Sequence, residues 1–257
     1  MSGFFYEKII EALNVREGRI LLVSSDIVGL AFHALSRGET FRCDAFIESL
    51  QERLTPEGTL LFPTFNFDFC RGKPFDIRSS ASTTGALSKA ALGRADFKRT
   101  QHPIHSFAVW GKYQQYLCGL NNKSSFGADS PFAFLLKERA AALMIGLSYQ
   151  GAFTFAHHAE EMERVPYRYL KEFIAPYVDE TGNSKICGYS MYVRDLEKGV
   201  ESDLDPIGEV LETKEIAVSR TLHGVVFRTV RLKEAYEEIV RDIRQNDGRK
   251  LHRVRAL

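Results

Sequence analysis

Short apolar runs separated by polar, periodic stretches divide the chain into strands and helices. Arg19–Ser25 (RILLVSS) is continuously apolar and ends in small polar residues, the pattern of a central parallel strand buried on both faces. Cys43–Leu54 places Phe46, Ile47, Leu50 and Leu54 on one side of a helix. The turn Thr55-Pro56-Glu57-Gly58 leads into a second apolar strand, Thr59–Pro63. Strand, helix and strand in this order predict an α/β fold with a mostly parallel central sheet flanked by helices. Helical spacing also marks Tyr6–Leu13 and Thr83–Leu92, and Ser130-Pro131 opens a helix over Pro131–Arg139. Ser106–Trp110 and Ala141–Leu147 read as further strands.

Between the second strand and the Thr83 helix, residues 64–82 are aromatic, polar and irregular. A loop of that length beside a sheet is more often functional than not. Beyond Pro166, Tyr167–Val178, Ile186–Val193 and Gly224–Leu232 alternate as strands do, and Leu232–Arg244 forms an amphipathic helix. No repeat or clear linker interrupts the chain. The expected organisation is one domain over 1–257, with a cofactor and catalytic core over about 1–165 and a C-terminal α+β subdomain over about 166–257.

Composition narrows the function classes. With 44% hydrophobic and 26% charged residues the chain carries enough apolar material for a full core. A net charge of +1 supplies no global field for nucleic acid or an anionic membrane. Tyr167, Tyr169, Phe173 and Tyr177 come without an Arg/Lys patch, so no nucleic-acid partner is expected. No apolar run approaches the ~20 residues that span a bilayer, and Glu7 and Glu11 argue against a signal peptide. Cys43, Cys70, Cys118 and Cys187 are scattered without a CxxC pair, which fits free thiols in a cytoplasmic setting.

Four polar clusters fall at the ends of expected strands: Ser24-Ser25-Asp26, Thr83-Thr84-Gly85, His102-Pro103-Ile104-His105-Ser106 and Thr154–Glu160. In open α/β sheets, ligands bind at the carboxyl ends of strands. His157 and Glu160 lie three residues apart on one helix face, which fits either a solvated surface or a general base and its orienting carboxylate. No metal is expected, because adjacent His157 and His158 diverge by ~100° on a helix and no HExxH spacing occurs. No P-loop, dinucleotide turn or nucleophile elbow stands in a suitable context.

Taken in order, these segments resemble the aminoglycoside N3-acetyltransferase family, whose fold differs from that of GCN5-type enzymes. The resemblance rests on Pro74-Phe75-Asp76, Thr84-Gly85-Ala86-Leu87, Arg99 through Ala108, Phe126 through Pro131, Ile145-Gly146 and Thr154-Phe155-Ala156-His157-His158-Ala159-Glu160. It implies acetyl-CoA as co-substrate, an amine as acceptor, His157 as base and Glu160 as its partner. It also implies cofactor contacts at Asp26, Ile27, Val28 and Gly29, at Thr83, Thr84 and Gly85, and at His102, Ser106 and Phe107. A Thr83 or Thr84 hydroxyl, or a backbone N–H, would meet the oxyanion.

The chain departs from the family where Ser24 and Asp26 replace its usual His and Ser, and where Lys89 replaces a common acidic residue. The loss of an acidic group at Lys89 favours an amino sugar as acceptor, free or nucleotide-linked, over a polycationic aminoglycoside antibiotic. Phe65, Phe67, Phe69 and Phe75 point to an apolar acceptor pocket or to core packing. Two readings of other classes stay open. One is a non-catalytic binding protein; the other is a hydrolase using His157 with a serine such as Ser106. The expected assembly is a monomer or homodimer with a small-molecule amine and no membrane partner.

Overall fold

The computed structural model describes residues 3–255 and sets the apolar runs side by side in one sheet. In chain order, α1 (Gly3–Ala12) precedes β1 (Ile20–Ser25), α2 (Val28–Ser36), α3 (Cys43–Leu54) and β2 (Thr59–Pro63). The long loop carries β3 (Phe75–Asp76) and is followed by α4 (Ala86–Gly93), β4 (Lys98–Arg99), β5 (Phe107–Gly111) and α5 (Gln114–Cys118). Next come α6 (Pro131–Lys137), β6 (Ala141–Ile145), α7 (Tyr149–Ala152) and α8 (Ala156–Met162). The chain then forms β7 (Arg168–Val178), β8 (Ser184–Arg194), β9 (Val200–Ser202) and α9 (Asp205–Thr213). It ends with β10 (Ala217–Leu222), β11 (Val225–Arg231), α10 (Leu232–Asn246) and β12 (His252–Val254).

The seven-stranded sheet has the order β10-β11-β6-β1-β2-β5-β4. β1 runs parallel to both neighbours, with Leu21 opposite Leu60 of β2 and Ala141 of β6. β2 and β6 are buried along their whole length, because parallel strands need helices on both faces. Alternation sends Leu21 and Val23 to one face, against Ile9, Phe46, Leu50 and Leu87 of α1, α3 and α4. Ile20 and Leu22 face the other side, with Phe132, Ala159 and Ile239 of α6, α8 and α10.

The expected parallel pairing holds in the centre, β6-β1-β2, whereas the four outer strands join antiparallel. The connections explain the difference. β10 and β11 are linked by His223 and Gly224, with φ of 52° and 75°, a two-residue turn that can join only antiparallel neighbours. The chain beyond residue 166 thus supplies two strands of the central sheet as well as decoration.

A second sheet, β3-β7-β8, is built on a hairpin of two 11-residue strands paired from Arg168↔Arg194 to Val178↔Ser184. Its turn is closed by Asp179 Oδ1, which accepts from the N–H groups of Thr181 (2.9 Å) and Asn183 (3.0 Å). Phe69, Phe75 and Ile77 of the long loop pack with Ile104, Tyr177 and Tyr189 beneath this sheet. The buried Arg99 guanidinium ties the loop down: it donates to the Ser80 carbonyl, to the Thr64 carbonyl (2.8 Å) and to Ser106 Oγ (2.9 Å), and lies over the Phe75 ring. Among the described residues no helix is long and apolar enough to cross a membrane.

Candidate active site

β6 is followed by Gly146, whose φ of 66° turns the chain sharply; a Cβ there would lie 2.5 Å from the Asp26 carbonyl oxygen. Two short helices follow, and the second, α8, carries His157 and Glu160 one turn apart. His157 Nδ1 lies 2.5 Å from Glu160 Oε2. The first residue of β7, Arg168, places its Nε 2.8 Å from the same oxygen as an ion pair rather than an aligned hydrogen bond. Its other nitrogens donate to the Tyr192 carbonyl (3.3 Å) and Ser202 Oγ (2.7 Å).

Burial fixes the protonation of this triad. Burial pushes Glu160 (0% exposed) upward, but His157 and Arg168 outweigh it and hold the carboxyl below its ordinary value. Burial and then the Arg168 charge lower His157, against the opposing pull of Glu160. At neutral pH the imidazole is therefore uncharged. Nδ1–H donates to the carboxylate, which leaves the Nε2 lone pair to act as base.

His157 opens into a cavity of about 460 Å³. Phe65 and Phe67 of the long loop form one wall, with His105, Phe126 and Thr154 beside them. The opposite wall is the hairpin face bearing Tyr169, Lys171 and Phe173 on β7 and Met191 and Val193 on β8. The aromatic loop thus divides: Phe65 and Phe67 line the cavity, whereas Phe69 and Phe75 are core. Tyr169 and Phe173 belong to the cavity, while Tyr167 and Tyr177 are buried.

The histidine-rich segment also divides, in a way the sequence did not reveal. His102 is buried, and its Nδ1 accepts from the N–H groups of Ile104 and His105 (both 3.2 Å), so it shapes the turn; burial lowers its pKa to about 3. His105, outside the expected cofactor set, is the one at the cavity, with Nδ1 2.9 Å from Ser125 Oγ. His158 is buried with Nδ1 2.7 Å from the Phe126 carbonyl, a structural role.

Among the cofactor candidates, Asp26 through Gly29, Gly146 and Thr83 through Gly85 meet at the carboxyl ends of β1, β6 and β2. Asp26 lies just before α2, and its Oδ1 accepts from the Val28 N–H (3.0 Å). Gly85 has φ +31°, and a Cβ there would lie 2.6 Å from the Ser25 carbonyl and 3.6 Å from Ser25 Oγ. That Ser25 hydroxyl is buried without a hydrogen-bond partner. The chain segments approach so closely here that only glycine fits at 85 and 146, and the orphan Ser25 hydroxyl between them is a polar group suited to a phosphate or pantetheine chain.

Three expectations need correction. Ser106 and Phe107 are 0% exposed and present no surface to a ligand. Ser106 Oγ donates to the Thr64 carbonyl (2.9 Å) and accepts from Thr64 Oγ1 (2.9 Å) and Arg99 Nε (2.9 Å), which leaves no nucleophile for a hydrolase. The Thr83 hydroxyl donates to the Phe65 carbonyl and the Thr84 hydroxyl to the Pro63 carbonyl, so neither is free for an oxyanion. Lys89 is exposed on α4 and does not line the cavity, so it carries no information about the acceptor.

No cysteine lines this cavity, and burial raises Cys70 to about 11 and Cys118 to about 12. Among the described residues no group of three or more His, Cys, Asp or Glu is placed to hold a metal.

The sequence matches the profile of the family described as aminoglycoside 3-N-acetyltransferase over residues 28–243. A Bacillus subtilis (strain 168) protein, the SPbeta prophage-derived aminoglycoside N(3')-acetyltransferase-like protein YokD, is 25% identical over 194 residues, covering 66% of this chain and 68% of its own. The crystal structure of aminoglycoside acetyltransferase AAC(3)-Xa superposes with a TM-score of 0.78 at 20% identity, covering 94% of this chain and 92% of that one. AAC-IIIb in a binary complex with CoASH gives a TM-score of 0.77 at 17% identity, over 95% and 96%. At these identities the structures establish the shared fold.

Proposed function

The chain belongs to the aminoglycoside 3-N-acetyltransferase family of acetyl-CoA-dependent acyltransferases, and from this premise we propose that it acetylates an amino group of a small-molecule acceptor, with His157 as general base. The observation that carries the reading is the His157 imidazole, held through Nδ1 by buried Glu160 and lining a cavity. Glu160 keeps the proton on Nδ1. Nε2 takes the proton that the acceptor nitrogen loses as its bond to the acetyl carbon forms and the carbon–sulfur bond of the thioester breaks. CoA leaves as a thiolate, and the imidazolium, stabilised meanwhile by Glu160, returns the proton to it. Proton transfer of this kind contributes about 10²–10⁴-fold.

Bound acetyl-CoA supplies the activated acetyl group. The residues proposed to hold it are Asp26 through Gly29 and Thr83 through Gly85, the latter through the open N–H groups of the first turn of α4. Direct transfer is favoured because no activated serine or cysteine faces the cavity.

Two acceptors compete. The family match and the ligands bound in its structural neighbours, sisomicin, apramycin and a gentamicin, support an aminoglycoside. An amino sugar, free or nucleotide-linked, draws its support from the charge of the cavity.

The test is incubation with acetyl-CoA, with and without gentamicin, glucosamine and a nucleotide-linked amino sugar, while free thiol is followed. Amine-dependent thiol release is the expected result. Amine-independent release would indicate a hydrolase. Absence of both CoA binding and release would leave a binding protein. A large rise in gentamicin resistance on expression in a sensitive bacterium would select the antibiotic.

A further inference from the structure

The lining of the His157 cavity contains three cationic side chains, Arg168, Lys171 and Arg194, and no carboxylate. Arg168 is matched by Glu160 at 2.8 Å and adds no net charge. Lys171 and Arg194 are different. Among the described residues neither has an ion-pair partner, and Lys171 instead stands 5.5 Å from the centre of the Phe173 ring.

The nearby acids are turned elsewhere. Glu172 sits on the other face of β7, its Oε1 packed against Gly188. Asp195 pairs with Lys198 at 2.9 Å, and Glu201 pairs with Arg253 (3.0 Å) and Arg255 (2.9 Å). Two uncompensated cations therefore border an otherwise aromatic cavity. A ligand carrying several ammonium groups would meet repulsion there, with no carboxylate among the lining residues to receive it.

We propose that the acceptor of this enzyme is an amine whose body also bears an oxyanion, a phosphate or a carboxylate, held by Lys171 and Arg194 while its amino group faces His157. This rests on the acetyltransferase reading above and narrows it to a substrate class. Lys171 projects from the hairpin face that also carries Met191, whereas Arg194, paired with Arg168 at the open end of the hairpin, alternates to the other side and borders the cavity from that end, so the two charges stand at separate points of the lining. Phe65, Phe67 and Tyr169 offer apolar faces for the ring of an amino sugar between those charges and the imidazole. None of Asp26 through Gly29 or Thr83 through Gly85 lines this cavity, so the cations are separate from the residues proposed to hold the cofactor.

The test is calorimetric titration of the full chain loaded with CoA, using glucosamine, glucosamine 6-phosphate, muramic acid and gentamicin. The two anionic amino sugars are expected to bind about tenfold or more tightly than glucosamine, because charge-assisted contacts to guanidinium and ammonium groups replace water. The gap should shrink in high salt. In a Lys171→Ala/Arg194→Ala variant the gap should close while CoA affinity stays within about twofold, since both residues are exposed and outside the set proposed to hold the cofactor. Equal binding of glucosamine and its phosphate, tighter binding of gentamicin, or a preference unchanged in the variant would overturn the inference. A variant that loses CoA affinity would assign the cations to the cofactor and also overturn it. Failure of CoA to bind the unmodified protein is a separate result, because it removes the acetyltransferase reading itself.

Discussion

Replacing Glu160 with Gln separates the positioning role of this residue from its structural one. Glu160 is fully buried, and one of its oxygens serves both His157 Nδ1 (2.5 Å) and Arg168 Nε (2.8 Å). The amide keeps the shape but removes the charge, so Arg168 is left buried beside a neutral group. Breaking a buried pair from one side costs about 3–5 kcal/mol. In a domain of this size that corresponds to a loss of roughly 6–20 °C in Tm. The amide can also present its NH₂ to Nδ1, which favours the tautomer with the proton on Nε2 and disables the base. We therefore expect kcat to fall by about 10²-fold or more with little change in acceptor KM. The pH profile distinguishes this from simple loosening. Without the carboxylate that raises it, and with Arg168 still present, the His157 pKa drops, so the acid limb of the residual activity should move to lower pH. Differential scanning fluorimetry and thiol-release kinetics between pH 5 and about 8 would measure both effects. Wild-type Tm with wild-type kcat in E160Q would refute the argument.

In the unmodified enzyme, kcat/KM should rise with pH through an inflection below the usual histidine value of about 6.5, because burial and Arg168 lower His157 in the free enzyme; a limb well above that value would contradict this. Stability should move in the same direction. His102 is held neutral in the fold and titrates only near 3, so the unfolded chain takes up a proton that the folded chain refuses, and Tm should fall as pH drops from about 6.5 toward 3. Ser106→Ala should destabilise by about 1–3 kcal/mol, since it strands the buried Arg99 Nε, yet retain amine-dependent transfer when assayed below its Tm. Loss of all activity in a folded S106A protein would revive a serine nucleophile.

The sequence carried the centre of the fold most clearly. β1, β2 and β6 are buried on both faces along most of their length, so their sequences are nearly continuous apolar runs, and such runs stand out. The edge strand β10 (AVSRTL) was not legible, because most of its side chains are exposed and their polarity shields a sheet edge. α2 was obscured for the opposite reason: Val28, Phe32 and Leu35 are apolar on its exposed side, which blurs the amphipathic period. α9 had a usable signal in Asp205-Pro206 followed by Ile207 and Leu211 at helical spacing.

The site was legible where chemistry and spacing coincide, at His157 and Glu160. Arg168 was not, because its partnership with Glu160 depends on where the hairpin begins. Nor could spacing show which of His102 and His105 faces the cavity, since the turn after Pro103 decides it. That Lys171 and Arg194 border one cavity depends on strand register, which alternation alone does not set across 23 residues of sequence separation.

The central claim is that His157 takes the proton from the acceptor amine. It is tested most directly by His157→Ala in the thiol-release assay, using whichever of gentamicin or glucosamine 6-phosphate the unmodified protein acetylates, with CoA binding measured on the same sample. The predicted result is a fall in kcat of about 10²–10⁴-fold with CoA affinity retained. Near-normal turnover in that variant would contradict the assignment.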